Sequence, residues 1–490
     1  MIYRPPEPYR LWDTWLYPWQ GEYHLFHLQS EPGEAWGHIG HAVSTDLLHW
    51  KDCEPIATRG PEGAWDHGPT LTGMVVRHGG RFWMFYGAPH GGVQRIGLMV
   101  SDDLHLWRKF EGNPVLAPAG PHYQAEPGSP FAEADWRDPC VVWNEDAGLW
   151  DAYICARKAT WDEDNTGACI AKAQSRDLIR WELLEPAAEV GAYFVNAEVP
   201  DYFRIEGRQY LLFSTTTASG GYLDTPERDR CSGTFYLSTE HGGRYFLMRE
   251  HRMLIGAGSG RLDSYVGRTI QWGKRRLLYH HLAGPRPSWG LPKRIRRDQG
   301  GALFLEFWPE AAGLETGRAH EGFPAPAPVG MEMLGTWRPS GNTLSGHSGA
   351  AASAHVLSQQ VADLHLTCEI EPQGCPRAGI LLRVDPESRR GIAVVLDWDR
   401  GLVQVGRVEP SWAGGCTVTP LDSAGYGLRG RGAVKVRIFA RAEFVEAYVG
   451  DFWLFSTVLP EEPLRGLLGF MVEGGRAAFK NLRCAELPPL

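Results

Sequence analysis

The chain has 490 residues, 43% of them hydrophobic and 22% charged, which fits a globular protein of two or three domains and excludes a single ordinary core. A net charge of −9 without segregation of sign argues against a nucleic-acid partner, and no apolar run approaches the length of a membrane span. The opening MIYRPPEPYR lacks the apolar segment of a secretory signal, and nine cysteines without a CxxC pair offer neither a disulfide nor a zinc framework, so the expectation is a cytoplasmic chain with free thiols.

From the N-terminus an aromatic strand recurs behind a glycine turn: GEYHLFHLQ from Gly21, GRFWMFYGA from Gly80, GLWDAYICAR from Gly148, GRQYLLFST from Gly207 and GKRRLLYHHL from Gly273. Large side chains alternate in these stretches, as in a strand buried on at least one face. The glycines are 59, 68, 59 and 66 residues apart, a period that suits a four-stranded blade. A second motif, S-x-D-L-x-x-W, follows at Ser44–Trp50, Ser101–Trp107 and Ser175–Trp181, with a weaker echo at Ser238-Thr239-Glu240. Its Ser and Asp suit turn amides, and its Leu and Trp suit packing between blades. Two motifs repeated in one order predict a five-bladed β-propeller over residues 1–308.

The short basic runs Lys274–Arg276 and Lys293–Arg297 read as solvated strand edges or turns. Residues 309–335, rich in Pro, Ala and Gly, read as a linker. From 336 to 490 short alternating runs appear at Ala362–Ile370, Gly379–Val384, Gly391–Asp397, Val434–Ile438, Phe444–Val449 and Gly466–Val472, which predicts a β-sandwich. The fold class is therefore all-β, a propeller followed by a sandwich.

Residues just before each aromatic strand should converge on the propeller axis. Asp13 precedes Gly21 by eight residues, Asp138 precedes Gly148 by ten and Glu198 precedes Gly207 by nine. Any one of these is an ordinary turn residue. Together they place three carboxylates in one axial pocket, where like charges raise one another's pKa. Glycoside hydrolysis uses such a set: one carboxylate attacks or activates water while another, protonated, donates to the leaving oxygen. The abundant Trp serve as core or as platforms for sugar rings.

The whole chain resembles glycoside hydrolase family 32, the invertase, inulinase and fructanase family. Trp136-Arg137-Asp138-Pro139 matches its RDP motif, and Glu198-Val199-Pro200-Asp201-Tyr202-Phe203 resembles its E-C-P-D-F segment. Gly21–Gln29 resembles the strand after the family's nucleophile, while Trp36-Gly37-His38 with His41–Trp50 resembles its W-G-H-A-V-S-x-D-L-x-x-W stretch, with an insertion. Ser288–Lys293 and Arg437–Tyr448 resemble its last propeller strand and a sandwich segment. The resemblance implies a β-fructofuranosidase acting by retention, with Asp13 as nucleophile, Glu198 as general acid/base and Asp138 binding sugar hydroxyls. Gln29, Trp36, Trp65 and Tyr265 are further candidate sugar contacts, Arg137 pairs with a sugar hydroxyl or steadies a carboxylate, and Asp66 and His67 either take over sugar contacts or cap a turn.

Two departures stand out. The family's W-x-N-D-P-N-G is here Leu11-Trp12-Asp13-Thr14-Trp15-Leu16, and its F-S-G-S is replaced by Trp65–Thr70. They leave open an inverting arabinofuranosidase or xylosidase type of propeller enzyme, and a non-catalytic carbohydrate-binding protein. Anomer analysis separates the first and turnover the second. A small carbohydrate is the expected partner, with no nucleic acid, membrane, cofactor or metal; His38, His41, His280 and His281 read as packing or sugar contacts.

Overall fold

The computed structural model describes residues 2–128, 133–162, 165–192, 194–216, 232–239, 245–247, 253–257, 263–327 and 329–490. Contacts divide the chain into two units, residues 2–304 and residues 305–490 with Met1.

The first unit is a succession of antiparallel sheets. Strands β1 (Arg10–Trp19), β2 (Glu22–Ser30), β3 (His38–Ser44) and β4 (Lys51–Ala57) form the first, in that order. The second holds β5 (Leu71–His78), β6 (Arg81–His90), β7 (Val93–Ser101) and β8 (Arg108–Lys109), and the third β9 (Trp136–Asn144), β10 (Leu149–Arg157), β11 (Ala168–Ser175) and β12 (Trp181–Glu189). In the fourth, β13 (Glu198–Ile205), β14 (Arg208–Thr215) and β15 (Ser232–Thr239) run in order, and β16 (Tyr245–Leu247) and β17 (Met253–Ala257) both pair with β15. In the last, β18 (Ser264–Trp272) pairs with β19 (Arg275–Leu282), which also pairs with β20 (Ser288–Trp289) and β21 (Lys293–Arg297).

Both sequence repeats have a physical basis here. The turn glycines Gly21, Gly80, Gly148, Gly207 and Gly273 all have φ between 54° and 87°. In Gln20-Gly21, Gly79-Gly80 and Glu206-Gly207 both residues have positive φ, as a two-residue hairpin turn demands. In the S-x-D-L-x-x-W turns, Ser44, Ser101 and Ser175 each accept the amide of a Leu three residues on, at 2.9 Å. Asp46, Asp103 and Asp177 each accept two further amides at 2.8–2.9 Å. These bonds hold Leu47, Leu104 and Leu178 at φ of 62–69°, fully buried. Burying each Leu stabilises by about 1.5–3 kcal/mol, more than the ~1 kcal/mol or so that left-handed backbone costs a branched residue. Glu240, in the weaker echo, lies outside the described residues.

Consecutive sheets pack face to face. Trp15, Phe26 and Ile39 of the first meet Phe82, Met84 and Met99 of the second, and Phe85 and Ile96 of the second meet Trp136 and Ile154 of the third. Strands β1, β5, β9, β13 and β18 lie side by side in order, and β18 also touches β1. Each of these strands carries a bulge at one place. Two residues oppose one at Trp12-Asp13, Thr72-Gly73, Asp138-Pro139, Val199-Pro200 and Val266-Gly267. A bulge turns side chains out of the pleat, and Asp138, Val199 and Val266 take positive φ to do so.

The basic run at Lys293–Arg297 is a strand, β21, with Arg296 exposed, but its alternation sends Lys293 inward. Lys293 is fully buried, with Nζ on the Leu291 carbonyl at 2.7 Å and 2.9 Å from His280 Nε2.

The second unit contains two antiparallel sheets. One runs through Leu364–Gln373, Val434–Arg441, Phe444–Val449 and Phe452–Val458, and the other through Ser353–Val361, Gly466–Glu473, Arg377–Val384, Gly391–Asp397, Leu402–Pro410 and Cys416–Gly425. Every second side chain, such as Leu366 and Ile438 from one and Ile380 and Val394 from the other, enters a common core. Residues 309–335 carry a 3-10 turn, Pro309–Leu314, and a short strand, Ala319–Glu321, paired with Arg476–Glu486.

Candidate active site

The bulges bring three carboxylates together. Asp13 is the second residue of its bulge, Asp138 the first of its own, and Glu198 stands just ahead of the third. They are not equivalent positions of the repeat. Different chain distances and different places in the bulge carry them to one cluster.

Arg137 holds the cluster. Its Nη2 donates to Glu198 Oε1 at 2.9 Å and its Nε lies 3.4 Å from Asp138 Oδ2, while its Nη1 donates to Asp135 and, at 3.1 Å, to Gln94. Arg157, 2.8 Å from Asp135 Oδ2, extends the charge network outward. Glu198 Oε1 also accepts from Asn196 at 3.0 Å, and Tyr265 donates to Glu198 Oε2. Asp138 Oδ2 accepts the Val199 amide at 3.1 Å. Asp13 Oδ2 accepts from Thr72, whereas its buried Oδ1 has no hydrogen-bond partner among the described residues. One oxygen is fixed and the other is available for chemistry.

Burial makes this arrangement costly. Asp13 is pushed up to about 8, first by desolvation and then by the Asp138 charge, against the opposing pull of the Thr72 hydroxyl. Asp138 rises to about 6, mainly by desolvation, with Arg137 holding it down and Glu198 pushing it up. Desolvation and the Glu198 carboxylate raise the Tyr265 hydroxyl far above its usual range, so it stays a donor. A buried group of like charges favours a ligand or transition state that carries positive charge.

An aromatic row flanks the carboxylates. Trp36 stacks on Trp12 with centroids 6.4 Å apart, Trp12 meets His281 at 4.3 Å, and His281 meets Tyr265 at 5.9 Å. Arg10 covers Trp36 at 4.7 Å. His281 is buried and held neutral by desolvation, and neither ring nitrogen has a hydrogen-bond partner among the described residues. Gln29 is buried on β2 opposite Leu11, one residue before the Asp13 bulge.

Other residues singled out from the sequence have partners of their own. Asp66 accepts from Tyr86 at 2.8 Å and pairs with Lys109 at 2.5 Å, so its carboxylate braces the second sheet. Trp65 packs 5.5 Å from Tyr86. His67 is exposed, 3.3 Å from the Gly60 carbonyl. The second sheet reaches the carboxylates through Thr72 instead, at the bulge of β5. Thr72 precedes Gly80 by eight residues, the distance from Asp13 to Gly21, and that match was its signal in the sequence. Beside it, a Cβ on Gly73 would come within 2.5 Å of the Phe85 carbonyl, so only glycine fits there. Asn196, behind Glu198, carried no comparable signal.

Residues 13–245 match the family model "Glycosyl hydrolases family 32 N-terminal domain" and residues 336–486 match "Glycosyl hydrolases family 32 C terminal". Vacuolar acid β-fructofuranosidase 1 of a Rosa hybrid cultivar is 35% identical over 156 residues, 29% of this chain and 24% of its own length. The insoluble β-fructofuranosidase isoenzyme 4 of rice is 30% identical over 326 residues, 59% of this chain and 51% of its own. The chain thus spans about a quarter to a half of these relatives. Among solved structures, the family 32 β-fructofuranosidase of Bombyx mori superposes with a TM-score of 0.69 at 18% identity, over 98% of this chain and 91% of that one. A mutant of that enzyme in complex with sucrose superposes at 0.63, again at 18% identity, over 96% of this chain and 90% of that one.

Proposed function

This chain belongs to glycosyl hydrolase family 32, and from that premise we propose that it hydrolyses β-fructofuranosides of the sucrose or fructo-oligosaccharide type with retention. We infer a five-bladed propeller over residues 1–308 joined by a linker, 309–335, to a sandwich over 336–490. The gathering of Asp13, Asp138 and Glu198 around Arg137 carries the functional reading.

Asp13 is the nucleophile. Its unpartnered Oδ1 forms a bond to the anomeric carbon as the bond from that carbon to the leaving oxygen breaks, and Glu198 gives its proton to that oxygen. Thr72 holds the other Asp13 oxygen, which orients the attack. Positive charge develops on the sugar between attack and departure, and the crowded carboxylates are stabilised as it does. Asp138, fixed by the Val199 amide, accepts sugar hydroxyls. In the second step Glu198 takes a proton from water, water oxygen bonds to the anomeric carbon, and the ester to Asp13 breaks. Gln29, Trp36, Tyr265 and His281 form the sugar's surroundings.

The test is turnover of sucrose, inulin and levan with NMR of the first-formed anomer, for wild type and Glu198→Gln. Retained β-fructofuranose from wild type and a large loss in the variant are expected. Inversion would overturn the nucleophile assignment, and binding without turnover would overturn the enzyme.

A further inference from the structure

One cluster of the first unit has no part in the carboxylate chemistry. His41 on β3 and Cys53 on β4 are cross-strand partners, so their side chains share a face of the first sheet. His105, from the turn after β7, reaches the same place from the second sheet. Ligand atoms of His41, Cys53 and His105 all lie within 4.8 Å of one another. His24 on β2 stands behind them, its Nδ1 3.0 Å from His41 Nε2.

Packing does not account for these residue types. His105 is the fifth residue of its S-x-D-L-x-x-W turn, and the same position holds Leu48 and Ile179 in the other two turns. Leu48 is buried, and Ile179 packs against the core between the second and third sheets. Hydrocarbon occupies that position twice, and the third copy carries an exposed imidazole that meets the buried His41 ring at 5.0 Å. His41 is buried, and its Nδ1 has no hydrogen-bond partner among the described residues, an arrangement that burial penalises unless something binds the nitrogen.

We propose that His41, Cys53 and His105 bind a zinc(II) ion that ties the first sheet to the turn of the second. Two imidazoles and a thiolate are a donor set for zinc, with water in the fourth position. Tetrahedral ligand atoms lie roughly 3.3–3.8 Å apart at ordinary bond lengths, so the group closes by about 1 Å, and exposed His105 has the freedom to do this. Binding releases the Cys53 thiol proton to solvent. His24 is then the outer partner that fixes the tautomer of His41.

The experiment uses the full chain, stripped with chelator and titrated with zinc(II), with cobalt(II) as a spectroscopic probe. We expect one ion per chain, a thiolate-to-cobalt charge-transfer band and a higher melting temperature with zinc. His105→Leu, which installs the residue of the first turn, and Cys53→Ser should each weaken binding at least tenfold; Cys53→Ser should also abolish the band. Sugar hydrolysis should be unchanged in both. No stoichiometric binding, or binding that both variants retain in full, overturns the site.

Discussion

Asp13→Asn should inactivate the protein and stabilise its fold, and the second effect should grow with pH. A carboxyl whose pKa is higher folded than unfolded binds its proton more tightly in the folded chain. Stability therefore falls as pH rises from about 4, where the unfolded group ionises, to about 8, where Asp13 ionises in place. Four units at ~1.36 kcal/mol each give a ceiling of about 5–6 kcal/mol. Relaxation and water entry around a buried charge reduce this, and about 2 kcal/mol at pH 8 is expected, a rise in Tm of roughly 4–8 °C. Asparagine keeps the shape and can still accept from Thr72, so little packing is lost. Thermal melts of both proteins from pH 4 to 9 provide the assay. The difference should be near zero at pH 4, widen through neutrality and level off above pH 8, while turnover falls by at least about 10⁴-fold. A difference that does not change with pH, or a less stable variant at pH 8, would refute the account of the crowded carboxylates.

Thr72→Val removes the hydroxyl that holds Asp13 down, so Asp13 should rise further; the acid limb of kcat/KM should move up by about one pH unit, read from a pH–rate profile. Arg137→Lys keeps the charge but loses the fork that reaches Asp135, Asp138 and Glu198 together, and turnover should fall by about 10²-fold or more in steady-state assays. His281→Phe keeps the contacts with Trp12 and Tyr265 and removes both ring nitrogens; KM for sucrose should rise while the melting temperature holds within about 2 °C. Asp177→Ala deletes two bonds to turn amides far in sequence from the carboxylates and should cost about 1–2 kcal/mol by denaturant melt, with kcat unchanged.

The strands of the first unit were legible because two local signals coincide in each repeat, a left-handed glycine turn and period-2 aromatic alternation. The Ser-Asp-Leu-Trp turns were legible because their chemistry is entirely local. In the second unit Leu402–Pro410 and Cys416–Gly425 escaped notice, since several of their side chains are only half-buried and hydrophobic alternation fades there. The site itself was half legible. Near-equal distances before the turn glycines pointed to Asp13, Asp138 and Glu198, yet those carboxylates occupy three different positions around the bulges, and a bulge leaves no mark in a single sequence. The same blind spot directed attention to Asp66, an acid whose partners Lys109 and Tyr86 come from other strands, and left Thr72 unnoticed although it stands eight residues before Gly80, as Asp13 does before Gly21. The His41, Cys53 and His105 group extends the point, because its members come from two strands and a turn and meet only when two sheets pack. Chemistry written along one strand can be read from residue order. Chemistry assembled across strands depends on register, and register is decided by the bulges.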